Sequence, residues 1–306
     1  MFIRLFFEEM LFSPKWYHWP IIILLFPLSL LYGVSMWIRR KCIKKNEYTL
    51  PIVSVGNLIV GGTGKTPFVI ALVSRFDNVV VISRGYGRKS KGLVEVSYQG
   101  KILTDVNKSG DEAMLMALSL PKASVIVSED RTLAITRAKE LGATLIVLDD
   151  GFNRVDIKKY EILLEPPKIE NYLTFPAGPL REFYFTRNNA ENRVKENEGF
   201  SREVKIENPT TRMILLTAIS NPKRLDEYLP PSVIKKIYYE DHAYFDEEVL
   251  KQYLKTYNAT SILCTSKDRV KMKGFDIPIS EMKLKFIIDD AIIAQIKAYI
   301  EQGTHR

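Results

Sequence analysis

A chain of 306 residues, 46% of them hydrophobic and 26% charged, is a packed, folded protein of roughly two domains. Its formal net charge of +8 suits a polyanionic partner, whether nucleotide, nucleic acid or anionic membrane surface, and composition alone does not choose among them. The cysteines Cys42 and Cys264 lie far apart and there are three histidines, which excludes a disulfide framework, leaves little scope for a zinc site and fits a reducing compartment.

The first element in chain order is apolar. From Trp16 to Ile38 no side chain is formally charged and most are large, and about 20 such residues in a helix cross a hydrocarbon core. Pro27 and Gly33 are able to kink this helix, and Trp16, Tyr17 and Trp19 look like an interfacial aromatic belt. A bent, partly inserted helix therefore stands beside a straight span. Arg39, Arg40, Lys41, Lys44 and Lys45 follow; by the positive-inside rule they keep the rest of the chain in the cytoplasm, and they are able to bind anionic headgroups. No small-residue cleavage site follows the apolar run, which argues against a signal peptide; a buried core helix is the other reading.

Ile52 to Gly56 reads as a buried strand, and Phe68, Val69, Leu72 and Val73 recur at helical spacing. Between them lies Gly61-Gly62-Thr63-Gly64-Lys65-Thr66, a turn whose backbone N–H groups are able to face a polyphosphate. Lys65 reaches the outer phosphates and the Thr66 hydroxyl suits Mg²⁺. Pro67 fits the first helical turn. The general phosphate-loop pattern has its first glycine at position 59, where this chain has Ile59.

Further strands are expected at 79–83, 124–127 and 144–148, each followed by a polar turn: Arg84-Gly-Tyr86-Gly-Arg88, Ser128-Glu-Asp-Arg131 and Asp149-Asp150-Gly-Phe152. Apolar strands alternating with helices imply an α/β fold with a mainly parallel sheet, whose ligands gather at the carboxyl ends of strands. The polar stretch 188–205 reads as a linker or mobile flap. A second α/β set follows, with strands at 213–219, 237–239, 261–265 and 285–288 and a closing helix from Asp289.

Asp149 and Asp150, at a strand tip, are candidate Mg²⁺ ligands beside Thr66. Ser109-x-x-Glu112 has the form of a capping box; equally, Asp111 at a helix start is held ionised and suits proton abstraction from a sugar hydroxyl. His242, in Asp241-His-Ala-Tyr-Phe245, pairs with Asp111 if two domains close on each other. Arg84, Arg88 and Arg181 are able to grip anionic groups with two parallel donors, and Tyr86 between glycines offers a platform for a sugar ring. In Thr265-Ser-Lys-Asp268 the lysine and aspartate are adjacent, so the guanine-reading Asn-Lys-x-Asp pattern is absent.

The chain resembles the tetraacyldisaccharide 4'-kinase family, the lipid A kinases of Gram-negative bacteria. The resemblance rests on Ser54-Val-Gly-Asn57 with Gly61-Gly-Thr-Gly-Lys-Thr-Pro67, Ser83-Arg-Gly-Tyr-Gly-Arg88, Gly110-Asp-Glu112, Asp130-Arg131, Asp149-Asp-Gly-Phe152, Phe175-Pro-Ala-Gly-Pro-Leu-Arg-Glu182, Asn221-Pro-Lys-Arg224, Asp241-His242 and Lys267-Asp268. It implies ATP- and Mg²⁺-dependent phosphorylation of the 4'-hydroxyl of a tetraacyldisaccharide 1-phosphate at the cytoplasmic face of the inner membrane. By position it implies Lys65, Asp111 and His242 in catalysis, Gly61 to Thr66 around ATP, Thr66, Glu112, Asp149 and Asp150 near metal, and Arg84, Tyr86, Arg181 and Glu182 at the lipid headgroup. The family usually has Gln-His-Arg where this chain has Asn153-Arg154-Val155, proline where it has Phe183, and glycines before Asn221-Pro222 that are missing here. The expected organisation is a membrane anchor over 1–45, a P-loop kinase domain over 46–185, and a linker with a smaller α/β domain over 186–306, whose closing helix is able to return to the first. The protein is expected to act as a monomer without nucleic acid. A membrane-tethered P-loop switch that hydrolyses nucleotide is the alternative function.

Overall fold

In the computed structural model the described residues are 2–61, 63–219, 222–241 and 243–304. The readings placed on Gly62, Asn221 and His242 lie outside them. The helix α1 (Phe2–Phe12), absent from the sequence reading, precedes α2 (Trp19–Cys42), the expected apolar run. Next come β1 (Ile52–Gly56), α3 (Lys65–Val73), β2 (Val79–Ser83), β3 (Val94–Tyr98), β4 (Lys101–Ile102), α4 (Val106–Ser109) and α5 (Asp111–Ser119). They are followed by β5 (Ser124–Val127), α6 (Arg131–Glu140), β6 (Leu145–Asp149), β7 (Tyr160–Leu164), β8 (Asn192–Glu196), β9 (Gly199–Glu207) and β10 (Met213–Thr217). The chain closes through β11 (Val233–Tyr238), α7 (Glu247–Thr256), β12 (Ser261–Thr265), α8 (Ser266–Arg269), β13 (Ile279–Ile288) and α9 (Asp290–Thr304).

The fold is mixed α/β with a mainly parallel sheet, as the alternation of apolar runs and helices requires. By contacts the chain forms two compact units, Met1–Lys65 with Val147–Phe200 and Ile288–Arg306, and Thr66–Ile146 with Ser201–Ile287.

In the first unit β1 pairs in parallel with β7, and β7 with β8. Every residue of β1 is buried, which explains its unbroken apolar run. The closing helix packs here: the Tyr299 hydroxyl donates to the Ile52 carbonyl at 3.2 Å and that of Tyr160 to Gln295 Oε1 at 3.3 Å. α2 is docked along its length on the segment 171–183. Ile22 and Met10 bury against Ala177, and Ser29 and Thr174 exchange hydrogen bonds, each hydroxyl donating to the other's carbonyl at 2.5 Å. Gly33 sits so close to the Phe183 ring that a Cβ there would lie 2.6 Å from it. The opposite face carries exposed Ile23, Leu24 and Leu31. The span Trp16–Cys42 is long and apolar enough to cross a membrane, and only 17% of its apolar window is buried.

Gly178 shows how tightly the docking segment is folded. A Cβ there would approach the Leu173 carbonyl oxygen to 2.2 Å, so Gly178→Ala is expected to cost about 1–3 kcal/mol. Urea unfolding of the full chain measures it; an unchanged midpoint would show that this segment yields easily.

In the second unit β2 and β5 run parallel, and β3 joins β5 antiparallel. β11, β10, β12 and β13 pair in parallel around Ile214, Leu216, Ile262 and Cys264, all fully buried.

Two expectations change. The stretch 188–205 contains β8 and the start of β9; only Val194 and Phe200 of these strands are buried, so the alternation that marks a strand was hidden by charged residues on exposed positions. The capping box at Ser109 does not form. Ser109 Oγ instead donates to the carbonyls of Asp105 and Gly110, Asp105 caps α4, and α5 starts after Gly110 at a φ of +84°. That left-handed turn, which favours glycine, delivers Asp111 to the first position of α5.

Candidate active site

The phosphate-loop candidate belongs to the first unit up to Lys65. Gly61 and Gly64 adopt φ values of +91° and +84°, backbone that residues with a Cβ enter only at a cost. The Lys65 ammonium lies 3.0 Å from Asn57 Oδ1 and 3.4 Å from Asp150 Oδ1. Asn57 is buried and terminates the Val-Gly-Asn run, so its amide is a fixed rest for the lysine. Ile59, where the general pattern has glycine, is buried with Leu58, Phe152, Leu163 and Leu180. Its place in the core accounts for the departure. The loop is braced by an antiparallel bridge from Ile59 to Leu180 and by the N–H of Val60 donating to the Pro179 carbonyl at 2.9 Å. Thr63 and Thr66 follow in the turn and first helical turn, where backbone N–H groups are unpaired by the helix.

β6 ends at Asp149, which is buried, and Asp150 follows at a φ of +57°. The Asp150 N–H donates to the Val55 carbonyl at 2.9 Å, tying this turn to β1 beside the loop. Arg181 Nη1 donates to both Asp150 carboxylate oxygens at 2.9 Å. Burial alone would raise the Asp150 pKa, but the charges of Lys65 and Arg181 outweigh it and hold the carboxyl below its usual range. Arg181, expected at the headgroup, thus spends Nη1 on Asp150 while its side chain stays 22% exposed. Glu182 is fully buried and gripped by Arg40 at 2.7 and 2.8 Å, which corrects the expectation that it meets substrate: no surface of it is left for a ligand.

The second unit holds the acid/base candidates. Asp111 is nearly buried, and its Oδ2 lies 2.9 Å from the ammonium of Lys271. The same ammonium donates to the Ala243 carbonyl at 3.1 Å, so one lysine brackets the start of α5 to the chain immediately after residue 242. Asp111, Asp241 and Ala243 therefore belong to one unit. Glu112 pairs with Lys267 at 2.8 Å, and Asp241 stands 3.5 Å from the same ammonium. Burial pulls the Lys267 pKa down, and Glu112, Asp241 and Asp111 more than offset it, leaving it raised. Glu112, expected near metal, has its carboxylate engaged by this lysine.

Arg84 and Tyr86 are exposed on the turn after β2, as ligand-facing residues must be. That turn rests on the start of α5, since a Cβ on Gly110 would lie 2.7 Å from the Tyr86 carbonyl oxygen. Arg88, by contrast, pairs with Glu129 at 2.6 Å and is almost enclosed. Asp130 caps α6, and Arg131 is buried, donating to the carbonyls of Ser83 and Ser128. Asp268 accepts from Thr217 Oγ1 at 2.6 Å, from the Ala218 N–H at 3.0 Å and from Thr265 Oγ1 at 2.7 Å, a structural brace.

Sequence reasoning missed Lys271, gave Asn57 no partner and expected Arg40 to face headgroups. Lys271 stands between Val270 and Met272, which are buried with it, and a lysine between two apolar residues is the signal that would have found it. Among the described residues no group of three or more His, Cys, Asp or Glu side chains converges. The oxygen donors of Asp149, Asp150 and Thr66 are hard ligands of the type Mg²⁺ takes alongside substrate phosphates and water, so the residues fit that ion without a dedicated cage.

The family described as tetraacyldisaccharide-1-P 4'-kinase matches residues 21–205 and 185–301. The tetraacyldisaccharide 4'-kinase of Helicobacter acinonychis (strain Sheeba) is 44% identical over 297 residues, covering 96% of this chain and 95% of the relative. That of Aliarcobacter butzleri is 44% identical over 307 residues, covering 97% and 98%. A crystal structure of the "apo" form of LpxK from Aquifex aeolicus in complex with ATP superposes with a TM-score of 0.78 at 26% identity, covering 92% of this chain and 99% of that one. With the family's residues spread across almost the whole chain and the fold shared, this protein belongs to the tetraacyldisaccharide-1-P 4'-kinase family.

Proposed function

We propose that the chain transfers the γ-phosphate of ATP to the 4'-hydroxyl of a tetraacyldisaccharide 1-phosphate, giving lipid IVA, and does so as a monomer at the cytoplasmic face of the inner membrane. The observation that carries this reading is the Lys65 ammonium at the head of a glycine turn and helix, poised between Asn57 and Asp150. Bound polyphosphate competes with Asp150 for that ammonium, and charge on the transferring phosphoryl group is offset by Lys65 and the turn's N–H groups. Asp111, with His242 as its expected partner, takes the proton of the attacking hydroxyl. Lys271 fixes the Asp111 carboxylate through an ion pair at 2.9 Å. Asp149, Asp150 and Thr66 are the residues that would hold Mg²⁺, which would supply further charge neutralisation on the phosphates. Arg84 and Tyr86 remain the headgroup candidates.

The docking of α2 along segment 171–183 supports an anchor that lies in one leaflet, because a straight span would drag Thr174 and Ala177 into the hydrocarbon with it. A substrate with four acyl chains stays in the bilayer, and such an anchor brings the enzyme to it.

Incubating the full chain with γ-labelled ATP, Mg²⁺ and tetraacyldisaccharide 1-phosphate is expected to yield a lipid carrying one more phosphate. ATP hydrolysis with no label in the lipid would overturn the reading in favour of a nucleotide-driven switch.

A further inference from the structure

Residues 181 and 182 are consecutive, yet their side chains serve different partners. Arg181 holds Asp150, which in turn meets Lys65. Glu182 holds Arg40, at the end of α2, through two parallel donors at 2.7 and 2.8 Å. Arg40 does more than meet Glu182: its Nη2 donates to the Phe152 carbonyl at 3.1 Å, and its guanidinium lies 4.4 Å over the Phe152 ring. Arg39 Nη1 donates to the Asn153 carbonyl at 3.0 Å. Two basic residues expected to face anionic headgroups instead grip the backbone of the turn that begins at Asp149-Asp150. The side chains of Arg40 and Glu182 are 10% and 0% exposed, so neither is available to lipid.

We infer that Arg40 and Glu182 are positioning residues: they couple the seating of the anchor helix to the Asp150 turn and, through Arg181, to the phosphate-binding lysine. The inference rests on the assignment of Lys65 and Asp150 to the nucleotide phosphates. Its physical basis is a continuous set of short contacts, Arg40 to Glu182, then along the backbone to Arg181, Asp150, Lys65 and Asn57. Each side chain in it is held at both ends, so a shift of the anchor moves the turn. Misplacement by an ångström at such a site is enough to cost about a hundredfold in rate. A guanidinium is needed because only its planar fork meets Glu182 with two donors while still reaching the Phe152 carbonyl.

The test uses the full chain with Arg40→Lys and Glu182→Gln. The readouts are the dissociation constant of a fluorescent ATP analogue with Mg²⁺ and no lipid, kcat with the lipid acceptor, and co-sedimentation with phosphatidylglycerol-containing vesicles. Coupling predicts weaker analogue binding by about tenfold and kcat down by about a hundredfold, with vesicle binding unchanged. Loss of vesicle binding with normal analogue affinity overturns the inference and restores the headgroup role; no change in any readout overturns it as well. Should Arg40→Lys fail to fold, Arg39→Gln removes only the hold on the Asn153 carbonyl and reads the same link, and an unaltered dissociation constant there is equally fatal. Lys65→Ala separates the two levels of argument: if it keeps full activity the phosphate assignment itself fails, whereas an inactive Lys65→Ala beside an unaffected Arg40→Lys defeats only the coupling.

Discussion

Lys65→Ala is expected to lower kcat by about 100- to 1000-fold, the loss typical of removing one group aimed at charge developing in a transition state. The fold should survive, because the lysine's partners are polar and Arg181 remains on Asp150 to hold that carboxylate. Circular dichroism and a urea midpoint near that of the parent would establish the second point, and single-turnover kinetics the first. Retained turnover would refute the phosphate cradle.

The second large effect concerns the proton. Asp111→Asn keeps the shape of the side chain and one oxygen for Lys271 but removes the base, and kcat should fall by about 10²- to 10⁴-fold with the KM values little changed. Asn is chosen over Ala so that the buried ammonium of Lys271 keeps a side-chain acceptor besides the Ala243 carbonyl, since losing it would confuse lost chemistry with lost stability. Combining Asp111→Asn with His242→Ala should cost less than the product of the single losses if the two act on one proton. Fully multiplicative losses would separate their roles.

The strand, glycine turn and helix around Lys65 were legible because local chemistry dictates them. A buried apolar strand, glycines that reach left-handed backbone at Gly61 and Gly64, and a helix beginning at Lys65 are all short-range features. The residue pattern also placed Asp111 at a helix start and Asp149-Asp150 at a strand tip, where α5 and β6 have them. What escaped was pairing at long range. Nothing near Arg40 in sequence announces Glu182 as its partner, and a basic cluster after an apolar helix reads naturally as a headgroup site. Lys267 and Glu112 are likewise far apart in the chain yet 2.8 Å apart in space. Strands were missed where charge masked alternation, as in β8 and β9, and the 11-residue helix α1 is overshadowed by the longer apolar run of α2 beside it. Of the family departures, Phe183 finds a packing reason under Gly33, and Asn153 acts through its carbonyl.

The reciprocal bonds between Ser29 and Thr174 bear on anyone trimming the protein for solubility. Cutting away residues before the phosphate strand strips a lid from an oily trench floored by Leu173, Ala177 and Phe183, and abandons a buried carboxylate at Glu182, where loss of one member of such a pair costs about 3–5 kcal/mol. The shortened product should clump rather than float free, so detergent around the intact chain is the sounder route to a tractable sample.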